Sequence, residues 1–156
     1  MQLKSKKGFS LIELVVVIAI IGIMASISSF AWQRYVANAN LRTAARDMAT
    51  DINTMKQRAV SKLDTTYTID FDKTANTYAM NGTTVQTKSL APSGQERGST
   101  YIFSLPGGGT AYTLTFLARG TLNPQNGTIV LKNNRGSSAN IVFNITGKTY
   151  VTFTMQ

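Results

Sequence analysis

Glu13 stands out because of its setting: it is the one charged residue in a stretch that is otherwise uncharged from Phe9 to Gln33 and strongly apolar to Trp32. An acidic side chain costs on the order of 2.5–3.5 kcal/mol at the centre of a lipid-facing helix, and less near an end. A carboxylate kept there needs water or a cation beside it. Conventional catalysis has little else to draw on. The chain contains no histidine and no cysteine, which removes the usual general base, the thiolate nucleophile and the commonest metal ligands. Asp64, Asp70 and Asp72 lie close together, but alternation puts the last two on one strand face, and calcium is not expected there. Pro106-Gly107-Gly108-Gly109 lacks the following Lys-Ser/Thr and helix of a phosphate loop. No catalytic site, metal or cofactor is expected, and the chain does not read as an enzyme.

The element that carries Glu13 is an apolar helix. Leu14 to Trp32 is 19 residues without a charge; as a helix it reaches about 28 Å, the depth of a bilayer hydrocarbon core. Lys4, Lys6 and Lys7 precede it, whereas Trp32, Arg34 and Tyr35 close it. That asymmetry predicts a single-pass membrane segment with a cytoplasmic N-terminus and the remainder outside the cytoplasm. An ordinary cleaved signal peptide would have no use for Glu13, and a break would follow its apolar run. Here the helical pattern continues.

Lys6-Lys7-Gly8-Phe9-Ser10-Leu11-Ile12-Glu13 resembles the prepilin signature of type IV pilins and type II secretion pseudopilins. The resemblance implies that residues 1–8 are a leader, cut after Gly8 by a prepilin peptidase. It also implies that Phe9 becomes an N-methylated terminus, and that the Glu13 carboxylate of one subunit meets the Phe9 amine of a neighbour. Glycine beside the scissile bond leaves the backbone unhindered, and two opposite charges in an apolar filament core would satisfy each other. The partners implied are the peptidase, other pilins or pseudopilins through this helix, and membrane lipid. Of the formal charge of +9, loss of the three leader lysines leaves +6.

From residue 33 to 63 there is neither proline nor glycine. Leu41, Ala45, Met48, Ile52, Met55, Ala59 and Leu63 recur at steps of three and four, a single apolar stripe for docking. The expected organisation is a leader over 1–8, a membrane or filament-core half-helix over 9–32, an amphipathic half over 33–63, and a β domain over 64–156. One helix from about Ser10 to Lys62 would be about 80 Å long, too long for the β domain alone to bury.

Beyond Asp64 the period becomes two. Tyr67/Ile69/Phe71, Tyr112/Leu114/Phe116, Ile129/Leu131, Ile141/Phe143/Ile145 and Val151/Phe153/Met155 read as strands with one buried face. Thr83–Leu90 and Thr100–Leu105 are weaker candidates, and Thr146-Gly147 predicts a tight closing hairpin. The fold class expected is α+β and pilin-like, a long N-terminal helix on a small antiparallel sheet or sandwich.

Gly120 with Pro124, Gly127-Thr-Ile-Val-Leu and Ile141-Val-Phe-Asn-Ile-Thr-Gly147 resemble the GspH/FimT-type minor pseudopilin domain. That resemblance implies a structural and assembly subunit of a pilus or secretion pseudopilus. Some members bind DNA during natural transformation through a Gly-Arg-x-Arg motif; here the segment is Gly147-Lys148-Thr149-Tyr150. Fewer cations neutralise fewer phosphates, so binding would be weaker and more salt-sensitive. The residues available for DNA are Arg119, Lys132, Arg135, Lys148 and Tyr150, the last able to stack on a base. A DNA-uptake subunit and a major pilin are the alternative readings.

Overall fold

The structure is a computed structural model that describes residues 9–64, 66–90 and 99–156, without the side chains of 27–31. The chain divides into two compact units, one ending at Gln33 and the other spanning Arg34–Gln156. Helix α1 runs Leu11–Lys62, 52 residues, in keeping with the absence of proline and with Gly22 as its only glycine.

In the second unit the helix buries Ala37, Leu41, Ala45, Met48, Ile52, Met55 and Ala59, all at most 1% exposed. The predicted stripe thus holds, extended by one turn at its start. Leu63 departs from it and is 78% exposed. It adopts φ 51° and ends the helix: its N–H donates to Val60 O and the Asp64 N–H to Ala59 O. These are the two bonds of a Schellman cap, whose left-handed position turns the chain away before Leu63 can dock.

Among the described residues nine strands follow: β1 Thr68–Asp72, β2 Thr77–Asn81, β3 Gln86–Ser89, β4 Thr100–Ser104, β5 Ala111–Phe116, β6 Leu122–Asn123, β7 Gly127–Asn133, β8 Ser138–Phe143 and β9 Thr149–Thr154. They form a five-stranded sheet in the order β3-β2-β1-β5-β6 and a four-stranded sheet in the order β4-β7-β8-β9. Every pairing is antiparallel, with Ile69 opposite Leu114 in the first sheet and Ile129 opposite Ile141 in the second. The alternating residues of both sheets and the helix stripe share one core. A run of rings crosses it: Phe71 lies 5.9 Å from Tyr78 and 6.4 Å from Tyr112, which lies 6.2 Å from Phe143. The fold class is therefore α+β, a long helix packed on antiparallel sheets.

Side chains join the sheets where backbone cannot. The turn between β1 and β2 ends on Asn76, at φ 55°, a left-handed position that asparagine tolerates. Its Nδ2 donates to Thr100 O at 2.9 Å, and its Oδ1 accepts the Ile102 N–H at 2.8 Å. One amide thus stands in for a neighbouring strand along β4. The last hairpin is longer than the tight Thr146-Gly147 turn expected. Five residues separate β8 from β9; Asn144 Oδ1 accepts the Lys148 N–H, and Gly147 takes φ 71°. Ile145, expected inside the strand, is thrown out of the ladder and is 40% exposed.

Candidate functional site

The N-terminal unit is described from Phe9 onward; the cleavage position Gly8 lies outside the described residues. Phe9 is 89% exposed and Leu11 80%. From Phe9 to Ser26 every side chain is exposed, on all sides of the helix, so among the described residues this segment builds no core of its own. Among the described residues no helix is long and apolar enough to cross a membrane. The side chains at 27–31, in the second half of the expected span, lie outside the described residues.

Glu13 has a local partner that its spacing already encodes. Its Oε2 accepts the Ser10 N–H at 3.3 Å, while Ser10 O accepts the Glu13 and Leu14 N–H groups. Ser10-Leu11-Ile12-Glu13 is thus a helix N-terminus in which the third helical residue reaches back to the cap, as in a capping box. The carboxylate also lies at the positive end of the helix dipole. The Ser-x-x-Glu spacing ahead of an apolar run was the available signal; the reading of Glu13 as an intersubunit charge overlooked it.

The basic residues of the β domain divide between opposite ends of β8. Lys132 lies opposite Ser138 at its start, and Arg135 sits in the turn just before it. Lys132 Nζ stands 3.5 Å over the Phe103 ring. Tyr150, opposite Val142 near the other end of β8, is exposed on the outer face, and Lys148 is exposed in the loop just beyond. Four residue steps, about 14 Å of extended strand, separate Lys132 from Tyr150. Arg119 joins the Lys148 end. Its turn meets the last hairpin so closely that a Cβ on Gly147 would lie 2.8 Å from Gly120 O and 2.7 Å from Lys56 Cδ. Lys56 Nζ donates to Thr146 O at 2.8 Å. Lys56 thus meets the turns that carry Arg119 and Lys148. Nothing in the sequence singled out Lys56, because its place depends on how the helix docks.

Asp51, Asp70 and Asp72 are committed to structure. Asp70 accepts from Asn81 Nδ2 and Thr113 Oγ1, both at 2.5 Å, and Asp72 caps its turn through the Thr74 and Ala75 N–H groups. Among the described residues no cluster of three or more His, Cys, Asp or Glu could hold a metal ion. Asp51 accepts from the Tyr78 hydroxyl at 2.6 Å and from Lys88 Nζ at 2.7 Å. Burial, then the bond to Asp51 and the charges of Asp51 and Asp47, push the Tyr78 hydroxyl far above its usual range. Burial alone raises that of Tyr112. A cleft of about 300 Å³ beside Tyr78 is lined by Asn40, Asp47, Lys88 and Thr100 among others.

A helix with a bare apolar first unit, whose second half packs on antiparallel sheets, is a pilin-like arrangement. Residues 3–29 match the family described as the prokaryotic N-terminal methylation motif. The chain is also 47% identical over 58 residues to a fimbrial protein of Moraxella nonliquefaciens, a match covering 35% of this chain and 38% of that protein. The chain thus spans well under half the length of the curated relative it matches. No solved structure matches. Residues 3–29 are thus similar to the N-terminal methylation segment of type IV pilin-like proteins, and the similarity to a fimbrial protein runs in the same direction.

Proposed function

We propose that the chain is a minor pilin or pseudopilin of the GspH/FimT type, a structural and assembly subunit of a type IV pilus or a type II secretion pseudopilus. The observation that carries this reading is the run of exposed apolar side chains from Leu11 to Met24, headed by Phe9 and Glu13. Such a surface requires lipid before assembly and other helices after it. The subunit enters the inner membrane as a single pass over about residues 9–32, with its lysine-rich leader in the cytoplasm and the β domain in the periplasm. The peptidase cuts after Gly8, and Phe9 becomes the N-methylated terminus.

The Phe9 amine then pairs with Glu13 of a neighbouring helix. What supports this assignment is that Glu13 lies exposed in the first turn of the helix, where a neighbour's amine can reach it. N-terminal sequencing of protein extracted from membranes tests the processing. A start at N-methylated Phe9 is expected; an intact Met1, or a start well beyond Phe9, overturns the reading. Abundance in sheared filaments distinguishes a minor from a major subunit, a trace amount being expected.

A second reading, a DNA-binding minor pilin, is favoured by the meeting of Lys56 with the turns that carry Arg119 and Lys148. Three cations can neutralise about as many phosphates, giving affinity that falls steeply with salt. A gel-shift titration from low salt upward tests it, and no shift at the lowest salt ends it.

A further inference from the structure

Each sheet leaves two edges, and three of the four are protected. The free edge of β4 is occupied by the Asn76 amide. β6 is two residues long and runs into Pro124. β3 is four residues, fully exposed, and carries Lys88. Short strands, charges, prolines and side-chain plugs are the usual means of preventing an edge from recruiting another strand.

β9 has none of these. Its six residues, Thr149-Tyr-Val-Thr-Phe-Thr154, are all β-branched or aromatic, with no charge, proline or glycine. It pairs with β8 along its whole length, and among the described residues no other backbone bonds to it. Along one side of this edge runs a helix flank of cations. Asn38 Nδ2 donates to Gln156 O at 3.4 Å, and Arg46 lies over the Phe153 ring at 6.0 Å. Arg42 lies between them at the helical step of four, and the three residues line one cleft of about 310 Å³. Arg42 and Arg46 are exposed and form no ion pair with any described residue. At the other end of the strand stands Lys148.

We propose that the free edge of β9 accepts an extended acidic peptide segment of a partner protein as an added strand. The backbone of β9 supplies the pairing, alternate residues directing N–H and C=O groups outward. Arg42 and Arg46 select carboxylate side chains on the incoming strand, and arginine suits that task through its forked donors. A second copy of β9 is the weaker occupant, since it brings no acidic residue to the arginines.

The test uses the full chain in a neutral detergent with a synthetic peptide of about ten residues alternating valine and glutamate, and a valine–lysine peptide as control. Amide hydrogen exchange is followed residue by residue. The expected result is slowed exchange at alternate residues of β9 with the glutamate peptide only, weakening as salt rises. R42E/R46E is expected to lower the affinity about tenfold or more while leaving the exchange pattern of β7 and β8 in the free protein unchanged. The proposal is overturned by no protection at β9, by equal protection with the lysine peptide, or by protection centred on β3 instead. Concentration-dependent protection of β9 without peptide also overturns it, and would assign the edge to a second copy.

Discussion

The Tyr78 hydroxyl donates to Asp51 at 2.6 Å, tying β2 to the inner face of the helix 27 residues earlier in the chain. Lys88 meets the same carboxylate oxygen at 2.7 Å from β3. Asp51 is thus the point through which the outer hairpin of the five-stranded sheet is fastened to the helix. Tyr78→Phe removes one bond to a charged acceptor and should cost about 1.5–3 kcal/mol. Asp51→Ala strands a buried hydroxyl as well and should cost at least as much. Lys88→Ala, on the exposed side, should cost under about 1 kcal/mol. Chemical denaturation in detergent measures all three, and equal losses would contradict this ranking.

Because the folded Tyr78 hydroxyl holds its proton more tightly than an unfolded tyrosine, stability attributable to it is complete below about pH 10, the ordinary tyrosine value. Above that the unfolded chain releases a proton that the folded chain keeps. Stability then falls with rising pH, by up to about 1.4 kcal/mol per pH unit for one such group. Tyr78→Phe should flatten this alkaline decline, leaving the smaller contribution of Tyr112. An unchanged slope in the variant would show that another group is responsible.

The helix stripe sets the strength of docking. Ile52 and Met48 are fully buried in the shared core, and truncating either to alanine removes apolar contact and leaves a cavity. A loss of about 2–5 kcal/mol is expected for each. The helical signal in circular dichroism should fall together with the near-ultraviolet signal of Tyr78 and Tyr112.

Leu63 holds φ 51° with its side chain in solvent, a conformation that costs a non-glycine residue about 1–2 kcal/mol. Leu63→Gly relieves that strain and loses no packing, although the unfolded chain gains freedom. A net gain of up to about 1 kcal/mol in the denaturation midpoint is expected, and a clear loss would contradict the cap. Gly147→Ala is the opposite case. It combines a left-handed φ with a Cβ 2.8 Å from the Gly120 carbonyl, and should destabilise by about 2 kcal/mol or more.

Much of this fold was legible because its periods are clean. The stripe from Leu41 to Ala59 and the alternations at Ile69/Phe71, Leu114/Phe116 and Ile141/Phe143 each obey one spacing and point to one face. The places that misled are governed by backbone geometry rather than hydropathy. Leu63 and Ile145 fit their patterns and are nevertheless expelled, the first by a helix cap and the second by a five-residue loop. The candidate site was legible in part: the apolar run and Glu13 are local, and so is the Ser10–Glu13 spacing that went unread. The division of the basic residues into two groups was not, because it depends on which end of β8 each turn reaches. Lys56 and the Asn76 bridge are tertiary facts with no local signature.

Asn76 has a consequence for how the β domain comes apart. Its backbone is part of the turn closing one sheet, while its amide satisfies the main chain of the other. Fraying at β4 would leave that amide without its acceptor and donor, and melting the β1–β2 turn would strip β4 of its cover. Neither layer can loosen quietly by itself, so the two should be lost in one cooperative step, with Asn76→Ala separating that step into two.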